Sequence, residues 1–237
     1  MRIWLHELTG NERGWSAWSL EHLGFATWAP EREDVLQRAP GKLAEYGRWR
    51  AEHGLEPEAM VGVGAGREVA VVEEIRGNEV AFDHDLYAAE SSEIDLCLAL
   101  IACTRQDLLA EVEGVDDGIL DLDPPYRDFA DWARWRTVRQ ILERIALTEV
   151  GYYLPSIGYS GPDPDSLRRL AWREQLDLSR AESVSFLGRL TEEGDALRLS
   201  IGEEAWSVRK VLRRLVWHER LHLKSIRRIL AELGSLG

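Results

Sequence analysis

The sequence has no apolar run long enough to cross a membrane and no basic-then-apolar leader at its start. Its longest apolar candidate, Ile94–Cys103, is too short and is interrupted by Asp95. Cysteine is also scarce: Cys97 and Cys103 are the two present, and six residues separate them in one predicted helix. That spacing places them on different helix faces, so a disulfide between them is not expected. We therefore expect a cytoplasmic protein without membrane contact.

Positive charge is scarce as well, since 29 lysines and arginines face 42 aspartates and glutamates and the formal net charge is −13. This imbalance argues against non-specific binding of nucleic acid or of anionic membranes by the whole surface. The segment Trp206–Arg228 departs from the average because it is rich in arginine and lysine. Such a basic helix typically pairs with its own neighbours or is solvated. Binding of an anionic ligand or partner is the alternative.

The length of 237 residues and the apolar content of 45% fit two modest domains. Strand patterns followed by helical ones occupy residues 1–60, a further strand pattern lies in residues 61–90, and four long amphipathic helices follow. We predict an α+β chain with a small α/β unit at 1–60, a β-containing connector at 61–90 and an up-down four-helix bundle at 91–237. Within the first unit, Pro40-Gly41 predicts a break between two helices.

The first unit combines a β-hairpin, the stretch Leu23–Thr27 after the second strand, and a helix that begins with Glu31, Glu33 and Asp34. This combination resembles the HicB-like antitoxin fold over residues 1–60. In that family the module binds a toxin partner, so the resemblance implies an interaction module. The separate DNA-binding segment that the family often carries has no counterpart in this sequence.

The most distinctive motif is His218-Glu219-Arg220-Leu221-His222 in the last predicted helix. Histidines four residues apart project from one helix face, and here that face is the apolar stripe. Buried imidazoles need hydrogen-bond partners or a metal. The same HExxH spacing occurs in zinc metalloproteases, but their extended form needs a histidine where Arg228 stands, and Glu219 lies beside the stripe. We therefore reject the protease interpretation in favour of a site in the bundle core.

Five segments of the bundle region carry a second resemblance: Trp135–Leu142, Ile145–Glu149, Tyr152–Leu154, Trp206–Arg214 and Trp217–His222. Together they resemble the DinB-like (damage-inducible) four-helix bundle superfamily, over about residues 91–230. In that superfamily three histidines bind a divalent metal, one on the second helix and two with H-x3-H spacing on the fourth. Members that are understood are often thiol transferases, in which a metal-bound cofactor thiol attacks an electrophile.

The resemblance implies that His218 and His222 are metal ligands, and it places Arg144 where the third histidine would stand. A guanidinium cannot ligate a cation and repels it. Glu149, about one turn further along the same helix, is the candidate for the missing ligand of a zinc, nickel or manganese ion. The alternative is a metal-free polar core, in which Glu149 hydrogen-bonds a histidine and Arg144 holds an anionic group of a cofactor or substrate.

Two functions remain open. The first is a metal-dependent transferase or hydrolase that activates a thiol or a water, with a small thiol or an anionic compound as its ligand. The second is a non-enzymatic binding or assembly protein with a degenerate, metal-free site and the HicB-like unit as its interaction module. We expect a homodimer. Nucleic-acid binding through the basic helix is disfavoured by the net charge of −13 and the lack of a recognition motif.

Overall fold

The structure is a computed structural model that describes residues 1–55, 69–123, 135–193, 198–201 and 204–234. The predicted boundary between residues 60 and 61 lies outside these ranges. The described chain is α+β, with a four-stranded sheet, a long helix packed on that sheet, and a bundle of four helices. No helix in the described ranges is both long and apolar enough to cross a membrane.

The N-terminal unit is a sheet covered by one helix. Its strands β1 (Arg2–Thr9), β2 (Arg13–Trp18), β3 (Ala26–Ala29) and β4 (Ala70–Gly77) lie in the order β3-β2-β1-β4. β1 pairs antiparallel with β2 and parallel with β4, so the strand predicted in residues 61–90 extends the N-terminal sheet. Side chains from the strands and from α1 (Arg32–Glu52) share one apolar core, which includes Ile3, Leu5, Ala17, Val35, Leu43 and Tyr46.

The helix α1 runs unbroken through Pro40, so the predicted break at Pro40-Gly41 is wrong. A proline inside a helix removes one backbone hydrogen bond and crowds the preceding turn. Here buried residues of α1 lie on both sides of the proline, at Val35 and Ala39 before it and at Leu43 after it. Burial of this continuous apolar stripe against the sheet outweighs the local cost.

Four helices form the bundle: α2 (Ser91–Val112), α4 (Val138–Thr148), α6 (Trp172–Glu193) and α7 (Val208–Gly234). The helices α2 and α4 each pack against both α6 and α7, so the four enclose a common apolar core. The short helices α3 (Asp117–Leu120) and α5 (Pro164–Leu167) lie in the connections. An antiparallel pair, β5 (Arg198–Ile201) and β6 (Glu204–Ser207), leads directly into α7.

Ion pairs fix the N-terminal half of α7 to the segment between the sheet and the bundle. Asp85 accepts hydrogen bonds from Arg213 at 2.8 and 2.5 Å, and both side chains are buried. Arg214 pairs with Glu79 at 2.7 Å. Further contacts of the same kind join Arg209 to Glu93 and Lys210 to Glu79. The basic half of α7 therefore pairs with acidic residues of its own chain.

Candidate functional site

His218 and His222 lie on the buried face of α7, in line with the apolar residues Val211 and Leu215. Their Nε2 atoms are 3.0 Å apart, and the ring planes are inclined by 85°. At this distance one Nε2 carries the hydrogen and donates it to the other. The two imidazoles thus form a pair inside the bundle, as the four-residue spacing predicts.

The pKa of His218 lies well below its usual value. Burial is the largest cause, and the positive charges of His222, Arg144 and Arg214 lower the pKa further. His218 is therefore neutral at pH 7. A neutral imidazole can offer a nitrogen lone pair either to its partner ring or to a ligand.

Two aromatic rings hold the imidazole pair from opposite ends. The ring of Tyr153 meets His218 edge-on at a centroid distance of 5.5 Å, and Trp135 meets His222 in the same way at 6.1 Å. Tyr153 ends a π-helical turn, Glu149–Tyr153, which continues α4. Such turns occur frequently at functional sites because the extra residue re-aims the side chains that follow.

Arg144 projects from α4 towards the same place. Its Cζ lies 4.6 Å from the centroid of the Trp135 ring, within the range of a cation–π contact. Its Nε is buried and has no hydrogen-bond partner. Neither a hydrogen bond nor an ion pair joins Arg144 to another residue that the structure describes. Burial raises the pKa of Glu12, in the turn between β1 and β2, and the charges of Arg214 and Arg144 oppose that rise. Arg144 therefore has an acidic residue in its surroundings, but none of the described residues bonds it directly.

Glu149 is directed away from the histidines. Its carboxylate accepts hydrogen bonds from Arg105 at 3.1 Å, Arg180 at 2.7 Å and Ser183 at 3.1 Å. Glu219 accepts hydrogen bonds from the same two arginines, each at 2.6 Å. These two carboxylates and two guanidiniums form a buried network between α2, α6, α7 and the π-helical turn. The structure therefore brings His218, His222 and Arg144 together and places Glu149 elsewhere.

The buried network is a feature that the sequence analysis missed. Burial raises the pKa of Glu219, but the charges of Arg180 and Arg105 outweigh it, so the pKa is lowered and the carboxylate is ionised at pH 7. Charged residues beside an apolar stripe are usually solvated. The available signal was Thr104 within the stripe of α2, since a polar residue there indicates a polar partner inside the bundle.

The imidazole pair could supply two ligands to a divalent cation. A tetrahedral ion bound at about 2.0–2.1 Å needs its two nitrogens about 3.3 Å apart, which is close to the observed separation. In the described part of the chain, however, no group of three or more His, Cys, Asp or Glu side chains could hold a metal. The neighbouring cation Arg144 also repels a divalent ion. These residues do not fit the three-ligand site that the resemblance implies.

No protein-family model matches this chain, and no curated protein sequence matches it. One similar solved structure is described as "YfiT from Bacillus subtilis is a probable metal-dependent hydrolase with an unusual four-helix bundle topology". The two chains share 19% sequence identity, over 66% of this chain and 95% of that chain, with a TM-score of 0.47. The metal dependence and the hydrolase activity in that description are those of YfiT.

Proposed function

We propose that this protein is a DinB-like bundle protein that binds a small molecule in its core and acts on it through the imidazole pair, without a stoichiometric divalent metal. The observation that carries the proposal is the 3.0 Å contact between the Nε2 atoms of His218 and His222. An imidazole pair in an apolar core costs free energy that leucine or valine would not. A buried ionisable group with a perturbed pKa, as His218 is, is typical of functional sites.

The chemistry that this pair supports is proton transfer during hydrolysis or group transfer. The ring that donates its Nε2–H keeps a lone pair on Nδ1, and there it accepts the proton of a bound water or thiol. The resulting hydroxide or thiolate forms a bond to an electrophilic carbon of the ligand, the bond from that carbon to the leaving group breaks, and the imidazolium returns the proton to the leaving group. The second imidazole hydrogen-bonds the first and fixes which nitrogen carries the hydrogen. General-base catalysis of this kind typically contributes about 10²–10⁴-fold to a rate.

The test uses protein purified without a histidine tag and treated with a chelator. Hydrolysis of an activated ester and transfer of a thiol to an activated alkyl halide are measured for the wild type, His218→Gln and His222→Gln. We expect chelation to leave the rates unchanged and each substitution to lower them about a hundredfold. His53→Gln, at the end of α1, is the matched control. Equal rates in all four proteins, or loss of activity on chelation alone, would contradict the proposal.

A second candidate is a non-enzymatic assembly protein in which the HicB-like unit is the interaction module. Exposed apolar residues on the outer strands favour it: Val71 and Val72 on β4, and Trp28 on β3. An outer strand can pair with a strand of a second copy. This candidate predicts a homodimer by light scattering that Val72→Lys converts to a monomer. A monomeric wild type whose ester hydrolysis depends on His218 would contradict it.

A further inference from the structure

The bundle core holds two polar sites, the buried network around Glu149 and Glu219 and the imidazole pair with Arg144, and their charges are balanced differently. Arg105 and Arg180 each bond both Glu149 and Glu219, so two guanidiniums are neutralised by two carboxylates. Arg144 makes no hydrogen bond or ion pair with a described residue, and its charge acts on the carboxylate of Glu12 without a direct contact. Glu149 lies five positions further along the chain, where the helix has turned about 140° away from Arg144, and it bonds Arg180 at the other site. One guanidinium beside the imidazole pair therefore has no directly bonded carboxylate among the described residues.

The surroundings of Arg144 restrict what can neutralise it. One face of its guanidinium is covered by the Trp135 ring, so a ligand can approach the edge that carries the N–H groups. A carboxylate matches this edge, because its two oxygens can accept two parallel hydrogen bonds. The buried Nε adds a donor that no described residue satisfies. Hydrogen bonds to a partly buried charge are stronger than those made at the surface.

We infer that the ligand of this site is a small carboxylate that Arg144 holds by its carboxylate group beside the imidazole pair. The inference rests on the proposed function, because it names the class of molecule on which His218 and His222 act. With the two Nε2 atoms bonded to each other, the pair retains the Nδ1 lone pair of one ring and the Nδ1–H of the other, so it suits a hydroxyl or thiol on the adjacent carbon of the ligand. Glycolate and mercaptoacetate are the smallest compounds of this kind.

The test measures binding by nuclear magnetic resonance of the imidazole nitrogens. Glycolate, mercaptoacetate and acetate are titrated into the wild type, and neutral glycolamide is the ligand control. Carboxylates are expected to shift the His218 and His222 signals, and glycolamide is expected to bind at least about tenfold more weakly. Arg144→Gln should weaken all three carboxylates at least about tenfold, and Arg144→Lys by less, since it keeps the charge and loses the planar edge. Arg139→Gln, on the same helix, should bind as the wild type does.

The outcomes separate this inference from the proposed function. Glycolamide binding as tightly as glycolate, or carboxylate binding that Arg144→Gln leaves unchanged in a folded variant, would overturn the carboxylate assignment. The role of the imidazole pair would still stand if His218→Gln abolished ester hydrolysis. Conversely, carboxylate binding that requires Arg144, together with rates unaffected by His218→Gln, would support the ligand class and remove the proposed chemistry.

Discussion

Glu149 and Glu219 share one guanidinium: Nη2 of Arg180 lies 2.7 Å from an oxygen of Glu149 and 2.6 Å from an oxygen of Glu219. The two carboxylates come from the π-helical turn and from α7, and both are buried. Without the shared arginine they would repel each other in a medium of low polarity. Arg180 therefore joins elements that are distant in the sequence through charge as well as through apolar packing.

Replacing Arg180 with leucine should lower the free energy of unfolding by about 3–5 kcal/mol, because it leaves two buried carboxylates with Arg105 as their remaining cation. Urea unfolding followed by circular dichroism measures this change. Arg189→Leu is the matched control, since Arg189 is exposed on the same helix, and it should change stability by less than about 0.5 kcal/mol. Equal stability of the two variants would show that the network is dispensable.

Arg144→His should create a metal site. The substitution removes the cation and supplies a third imidazole next to His218 and His222, so the variant should bind about one zinc, nickel or manganese ion per chain. Elemental analysis of untagged protein measures the content, and Arg139→His controls for adventitious binding. Stoichiometric metal in the wild type would refute the metal-free site.

The imidazole pair and its place in a helical bundle can be predicted from the sequence. The periodicity of a helix determines which residues share a face, so residues four apart lie together. The same rule separates Glu149 from Arg144, because five residues turn an α-helix by about 140° beyond one full turn, and the backbone of Glu149 is still α-helical. Which residues bond Glu149 does not follow from the spacing. The partners of Glu149 lie on α2 and α6, and their position depends on the packing of the whole bundle.

Stability should depend on pH through His53 and Asp107. The Nδ1 of His53 lies 2.8 Å from the carbonyl oxygen of Trp49, and its Nε2 lies 3.0 Å from a carboxylate oxygen of Asp107. Both partners can only accept, so both contacts are hydrogen bonds only in the protonated ring. Burial lowers the pKa of His53, but these two contacts outweigh it and the pKa is raised above 6.5.

Because the pKa of His53 is higher in the folded state, the stabilisation is fully present when the pH is below the pKa of the unfolded state. It is lost as the pH rises through the pKa of the folded state. His53→Gln should therefore cost about 1 kcal/mol at pH 5.5 and much less at pH 9. Urea unfolding at both values measures the difference. Asp107→Asn should remove the same pH-dependent difference in the free energy of unfolding. The double variant should lose no more of this pH-dependent stability than either single variant does. A cost that is equal at both pH values would refute the assignment.

Gly24 fixes how closely the N-terminal unit approaches α7. Its φ is +82°, and a Cβ at this position would lie 2.2 Å from Cγ1 of Val216. Gly24→Ala should therefore lower the melting temperature through both the clash and about 1–2 kcal/mol of backbone strain. Adding Val216→Ala should recover part of the loss by removing the clash, while the strain remains. A double variant less stable than Gly24→Ala alone would argue against this contact.

The ion pairs between the first half of α7 and the residues around Asp85 also determine how the chain can be divided. An isolated bundle beginning at Ser91 would lack Glu79 and Asp85, so the cations of Lys210, Arg213 and Arg214 would face solvent without their counter-ions. Such a fragment would present to nucleic acids and other polyanions a basic surface that these carboxylates neutralise in the intact chain. Binding measured with an isolated bundle fragment would therefore reflect a basic surface created by the truncation.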